Sequence, residues 1–163
     1  MKAFLAAVLC VPLVLALGCD NKPPRKKTAA EENSELRAQI VGVWERAWDS
    51  GPGGEIRELN ADGSLVMHEL RDPNSPAGAA TSKPVEKPLT MDHPLYKVKL
   101  KTIRRETDSW TVENRILIRT ITLKNGDPLR ISEKVERVSS TELVLSVAGT
   151  DGKKEETKFR RRG

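Results

Sequence analysis

Short apolar stretches of two-residue period recur from residue 43 to residue 161, and each is cut off by turn chemistry. The breaks are Gly51-Pro52-Gly53-Gly54, Ala61-Asp62-Gly63, Glu113-Asn114-Arg115, Asn125-Gly126, Ser139-Ser140-Thr141 and Asp151-Gly152. Asp-Gly and Asn-Gly steps supply the positive φ that tight hairpins need. Strands are therefore expected at 43–49, 55–60, 64–70, 96–106, 109–112, 116–123, 129–138, 142–147 and 155–161. With no helical period between them, the expected class is all-β, an antiparallel up-and-down sheet closed into a small barrel or folded into a sandwich. Alternation supports this: Leu143, Leu145 and Val147 fall on one face, Val144 and Ser146 on the other. In the preceding strand Leu129, Ile131 and Val135 oppose Arg130, Ser132 and Lys134, and Glu133 alone interrupts the apolar face. The single helical signal is at 34–40, where Leu36 and Ile40 stand four apart behind Asn33 or Ser34 as a cap, enough for one or two turns.

The chain has 163 residues, one domain's worth, with 37% hydrophobic and 31% charged residues. That balance predicts an economical core under a strongly solvated surface. The formal net charge is +5, but acids and bases are interspersed and no basic stripe carries stacking aromatics, so nucleic-acid binding is not expected.

The N-terminus follows another grammar. Lys2 is followed by an uncharged run over 3–17, shorter than the about 20 residues of a spanning helix and containing Pro12. Residues 1–18 thus read as a signal peptide. Cys10 would leave with it, and the mature chain would keep no second cysteine for Cys19 to pair with. The junction Ala16-Leu17-Gly18-Cys19 resembles the lipobox of bacterial lipoproteins, departing from it at Ala16, where that family prefers Leu. The resemblance implies cleavage between Gly18 and Cys19 and a diacylglyceryl group on the Cys19 thiol. It also implies a place in the cell envelope, outside the cytoplasm on the periplasmic face, with inner and outer membrane both open. Residues 19–33 read as a flexible basic, Pro-containing tether, in which Arg25, Lys26 and Lys27 either each add about 1 kcal/mol of attraction to anionic headgroups or are simply solvated. Residues 34–163 form the folded domain. Within it 71–94 holds Pro73, Pro76, Pro84, Pro88 and Pro94, five of the ten prolines, and reads as a Pro-rich loop insert.

The pattern of 36–161 is similar to the lipocalin-like domains of small bacterial lipoproteins. The similarity is carried by a helical turn leading into Gly42-x-Trp44, by the Asn60-Ala61-Asp62-Gly63 hairpin, by WTVENRILIRT at 110–120, and by an ending in which Leu143, Leu145, Gly152, Phe159 and Arg160 fall in the family's places. It implies that Trp44 plugs the closed end of a barrel beside Gly42, with Arg160 or Arg161 stacked on its face. Trp44, Arg46 and Trp48 would share one strand face, a stripe that core packing with a stacked arginine explains without a ligand; if a pocket is present, Arg46, Trp48, Tyr96 and Trp110 are the candidates for lining it.

Catalytic motifs are missing from the sequence: there is no Gly-x-Ser-x-Gly elbow and no glycine-rich phosphate loop. His68 and His93, even with Asp92 or Glu69, lack metal-ligand spacing. Neither enzyme activity nor a metal or other cofactor is expected. The functional expectation is a membrane-anchored, non-catalytic domain that binds or senses an unidentified ligand, a small apolar molecule or an envelope protein being the candidates, or an envelope protein-interaction module with a packed barrel and no small-molecule ligand. The five aromatics of the mature chain, Trp44, Trp48, Tyr96, Trp110 and Phe159, permit only a small cavity.

Overall fold

The computed structural model describes residues 25–76, 88–123, 125–149 and 151–163. The expectations for the signal peptide, Gly18, Cys19 and Pro84 lie outside the described residues. Among the described residues one helix, α1 (Ala29–Ile40), precedes nine strands: β1 (Gly42–Ala47), β2 (Gly53–Leu59), β3 (Ser64–Arg71), β4 (Thr90–Asp92), β5 (Lys99–Glu113), β6 (Ile116–Thr122), β7 (Pro128–Val138), β8 (Glu142–Ala148) and β9 (Lys154–Arg161).

All pairings are antiparallel. Eight strands close a barrel in the order β1-β2-β3-β5-β6-β7-β8-β9, with β9 returning to β1. This is the lipocalin-like, all-β, up-and-down architecture expected, and closure removes most free sheet edges. The turns after β2, β5 and β7 gather at the end covered by α1; those after β1, β6 and β8 gather at the other. The closure is uneven. The β1–β2 ladder runs from Gly42↔Leu59 to Ala47↔Gly54, but the register between β1 and β9 covers Trp44↔Arg161 and Glu45↔Arg160, flanked by the bond from Arg162 N to the Val43 carbonyl.

Alternation divides the residues into two apolar clusters. Inward-facing Trp44, Leu59, Leu65, Trp110, Leu117, Val135, Leu143, Leu145 and Phe159 pack beneath Leu36 and Ile40 of α1 and fill the closed end. A second cluster lies outside the barrel, where Met91 and Leu100, with Leu89 and Val98, cover Ile56 and Leu70 and the neighbouring Val43 and Ala47. Gly54 permits this contact, since a Cβ there would stand 2.4 Å from the Met91 Cε.

Four expectations need correction. The helix begins at Ala29, inside the segment read as tether: Thr28 and Glu31 form a reciprocal capping box, and Glu31 and Glu32 favour the helix N-terminus. Its cap is Thr28, neither Asn33 nor Ser34. The strands expected at 96–106 and 109–112 are one strand, β5; the polar Thr107-Asp108 step reads as a break only because Asp108 faces an interior lined with charge. The described part of the Pro-rich insert, from Pro88, is not all loop: Leu89 and Met91 are buried on the barrel wall and β4 pairs with β5. Finally, β8 is not amphipathic, because Val144 and Ser146 are buried along with Leu143 and Leu145, whereas Val147 and the β7 residue Leu129 emerge at the open end.

Candidate functional site

The plug at the closed end is built from β1, β9 and the end of α1. Trp44 is fully buried and its indole N–H donates to the Ile40 carbonyl at 2.7 Å. The Arg161 guanidinium lies 4.3 Å over the Trp44 ring and donates to the carbonyls of Val41 at 3.0 Å and Gln39 at 2.7 Å, satisfying orphan acceptors at the helix C-terminus. Gly42 has φ +145°, and a Cβ there would stand 2.4 Å from Arg161 Nη1. Of the two arginines considered for the stack, Arg161 occupies it; Arg160 points outward and donates to Glu45 at 2.6 Å.

Above this apolar floor the barrel interior is charged. Arg57 stands 4.6 Å over the Phe159 ring and donates to Glu133 at 2.7 Å and Glu55 at 3.2 Å. Glu55 also meets Arg46 Nε at 3.0 Å, and Arg46 reaches the Thr157 hydroxyl at 3.2 Å. On the other side Arg119 lies 3.8 Å from Glu133 and 3.6 Å from Asp108. The result is an alternating chain across the barrel, Arg46, Glu55, Arg57, Glu133, Arg119, Asp108, three cations against three anions. Burial opposes the charge of Arg57, but Glu55 and Glu133 outweigh it and raise its pKa. At the far end the balance reverses. Burial pushes the Asp108 carboxyl up despite Arg119, and burial together with the charge of Arg57 lowers Arg119. Both Asp108 oxygens and Nε of Arg119 are buried without a hydrogen-bond partner.

Glu133 is the residue that breaks the apolar alternation of β7, so the sequence carried one mark of this layer. Arg57, Arg119 and Asp108 carried none, being charged residues in strands that also have exposed faces.

A groove of about 890 Å³ runs along the β1–β9 seam, from Ser139 and Thr141 near the closed end to Asp49 and Leu95 near the open end. Phe159, Trp48 and Met91 supply its apolar surface, and Arg46 joins it to the interior charge chain. The strand parity explains why the groove lies there. Trp48 N donates to the Gly53 carbonyl, so the even residues of β1 bond β2 and the odd ones aim at β9. Arg162 N donates to the Val43 carbonyl, and Glu45 still pairs with Arg160. The next opposed pair, Ala47 and Lys158, lies beyond the last paired residues.

Of the pocket-lining candidates, Arg46 and Trp48 line this groove. Trp48 lies across Gly53, with Arg71 4.1 Å over its ring, and its indole N–H is buried without a partner. Tyr96 sits outside, edge-on to His93 at 4.8 Å. Trp110 is not a pocket residue but part of the closed-end core: its indole donates to the Asn60 carbonyl at 3.0 Å and Arg37 stacks on it at 5.1 Å. The two histidines are engaged separately. His68 bonds Glu58 at 2.9 Å and burial lowers its pKa, Glu58 opposing. His93 Nε2 lies 2.9 Å from the Trp48 carbonyl while Nδ1 accepts from the amides of Leu95 and Tyr96, so the ring pins the β4–β5 turn to the groove. Glu69 bonds Arg71.

No family model, no curated protein and no solved structure matches this chain.

Proposed function

We propose that the protein is a lipid-anchored lipoprotein of the cell envelope whose barrel is a non-catalytic binding domain, with its ligand taken in the groove along the β1–β9 seam. The observation that carries the binding reading is the seam itself: a closed barrel whose final ladder stops after two register pairs, leaving a groove of about 890 Å³ beside it. The apolar floor and the charged layer occupy the interior, which favours a ligand along the wall over a small apolar ligand in a deep lumen. The anchor reading rests on Gly18-Cys19 after the apolar run and on Arg25, Lys26 and Lys27 beside it. α1 leads the chain into the closed end of the barrel.

Two measurements test the two halves. Metabolic labelling with a fatty acid is expected to mark the native chain and leave Cys19→Ala unmarked; absence of label in both removes the anchor. Native mass spectrometry of the protein released gently from envelopes is expected to show a bound mass that disappears on substituting the groove residue Trp48 with Ala. A bound mass unchanged in that variant places the ligand elsewhere. The specific alternative is an interaction module, favoured by the packed barrel, and the same spectrum distinguishes a small molecule from a polypeptide.

A further inference from the structure

We infer that the groove is a strand-addition site whose occupant is an extended polypeptide segment; this rests on the groove being the binding site. Backbone parity is the first argument. Arg161 N donates to the Thr141 carbonyl, so the odd residues of β9 bond β8 and the even ones, Lys158 and Glu156, turn their amides and carbonyls toward β1. From β1 the amide and carbonyl of Ala47 turn the same way. Past Glu45↔Arg160 the ladder between the two strands ends, so the main-chain groups of Ala47 and Lys158, both of which line the groove, face it from its two sides. Main-chain donors and acceptors in this row are what an extended peptide satisfies, and a small apolar molecule leaves them unmade.

Shape and charge agree. The groove runs lengthwise from the β7–β8 turn to the β1–β2 turn, parallel to the strands, with Phe159 and Trp48 as apolar contacts for alternate side chains. Its free charges are separated. Asp49 and Asp92 line one side without a salt-bridge partner among the described residues, while Lys158 stands on the β9 side, also unpaired; Glu45 and Glu142 are already held by Arg160 and Arg137. A segment with a basic residue for Asp49 and Asp92 and an acidic one for Lys158 complements this wall.

The test uses the full chain isolated from membranes in detergent, with a phage library of random linear peptides as the probe. The expected result is enrichment of peptides of alternating apolar character carrying a basic residue. Their binding should weaken at least about tenfold in Lys158→Pro, which removes an N–H aimed at the groove and none aimed at β8, while Lys158→Ala changes it only severalfold. Because a proline variant can disturb the strand, the second arm alters the peptide instead. N-methylation of its alternate amides should abolish binding in one parity and spare it in the other. Peptides insensitive to both changes overturn strand addition, and so does failure to enrich any peptide. If the envelope-derived protein then still carries a small-molecule mass sensitive to Trp48→Ala, the groove stands as a binding site and only the peptide inference falls.

Discussion

Trp44 in β1 and Trp48 just past its end stand four residues apart, each under an arginine, and they are satisfied to very different degrees. At the closed end Trp44 is fully buried, its indole is bonded to Ile40, and the stacked Arg161 donates to two carbonyls of the α1 terminus. At the open end Trp48 is half-buried, its indole N–H has no partner among the described residues, and the stacked Arg71 is tied to Glu69. The first stack is over-determined by helix, strand and turn together. The second is incomplete beside a groove. At the closed end Arg161 Nε is buried without a hydrogen-bond partner while the ring it covers is fully bonded; at the open end it is the indole N–H of Trp48 itself that is unmade.

The sharpest way to break this contrast is to truncate both rings. Trp44→Ala is expected to cost about 3–5 kcal/mol, and Trp48→Ala less than about 2 kcal/mol, in chemical denaturation followed by circular dichroism. Equal losses would mean that the two ends are not different in kind.

Next in size is the charged layer between them. Glu133→Gln leaves Arg57 and Arg119 facing each other with their shared carboxylate gone, and is expected to cost about 3 kcal/mol by the same measurement. Asp108→Asn should act in the opposite direction. The Asp108 carboxyl is raised above 3.8 by burial, so between 3.8 and its folded value the native state keeps a proton that the unfolded chain has released. Stability contributed there falls as pH rises through that window, and the native chain carries the penalty at neutral pH. The Asn variant is expected to be more stable at pH 7 and to lose this part of the pH dependence, as a denaturation series from pH 3 to pH 7 would show. A loss of stability in Asp108→Asn would mean that Arg119 holds the carboxylate more firmly than its 3.6 Å separation indicates.

The smallest effect is expected at the open stack. Arg71→Ala should cost no more than about 1 kcal/mol, shifting tryptophan emission to the red as the Trp48 ring meets water. A larger cost would make the open end structural after all.

How much of this was legible depends on the range of each interaction. The turns at Asp62-Gly63, Asn125-Gly126 and Asp151-Gly152 and the alternation of β7 and β8 are local, so the positions of the barrel strands were readable to within a few residues, whereas β4 was not. The plug was readable through Gly42-x-Trp44 and the late arginines, though the choice between Arg160 and Arg161 depends on which face of β9 turns inward. Thr28 and Glu31 were also local. Their capping box was hidden because the neighbouring bases and prolines read as tether. The charge chain was not readable, since Arg57, Arg119, Asp108 and Glu133 come from four strands and each alone looks like a surface residue. Glu133, in an apolar row, was the one visible irregularity.

The sequence alone determined the antiparallel β class, the order of its hairpins and the apolar run that sets 1–18 apart from the rest, because hydrophobic period and turn chemistry are encoded within a few residues. Only the tertiary structure decided that charges share the barrel interior with the core, that Met91 and Leu100 build a second core on the outer wall, and that β1 and β9 part after two register pairs. Each of these depends on residues distant in the chain meeting at one place, where burial and pairing are settled by the whole barrel.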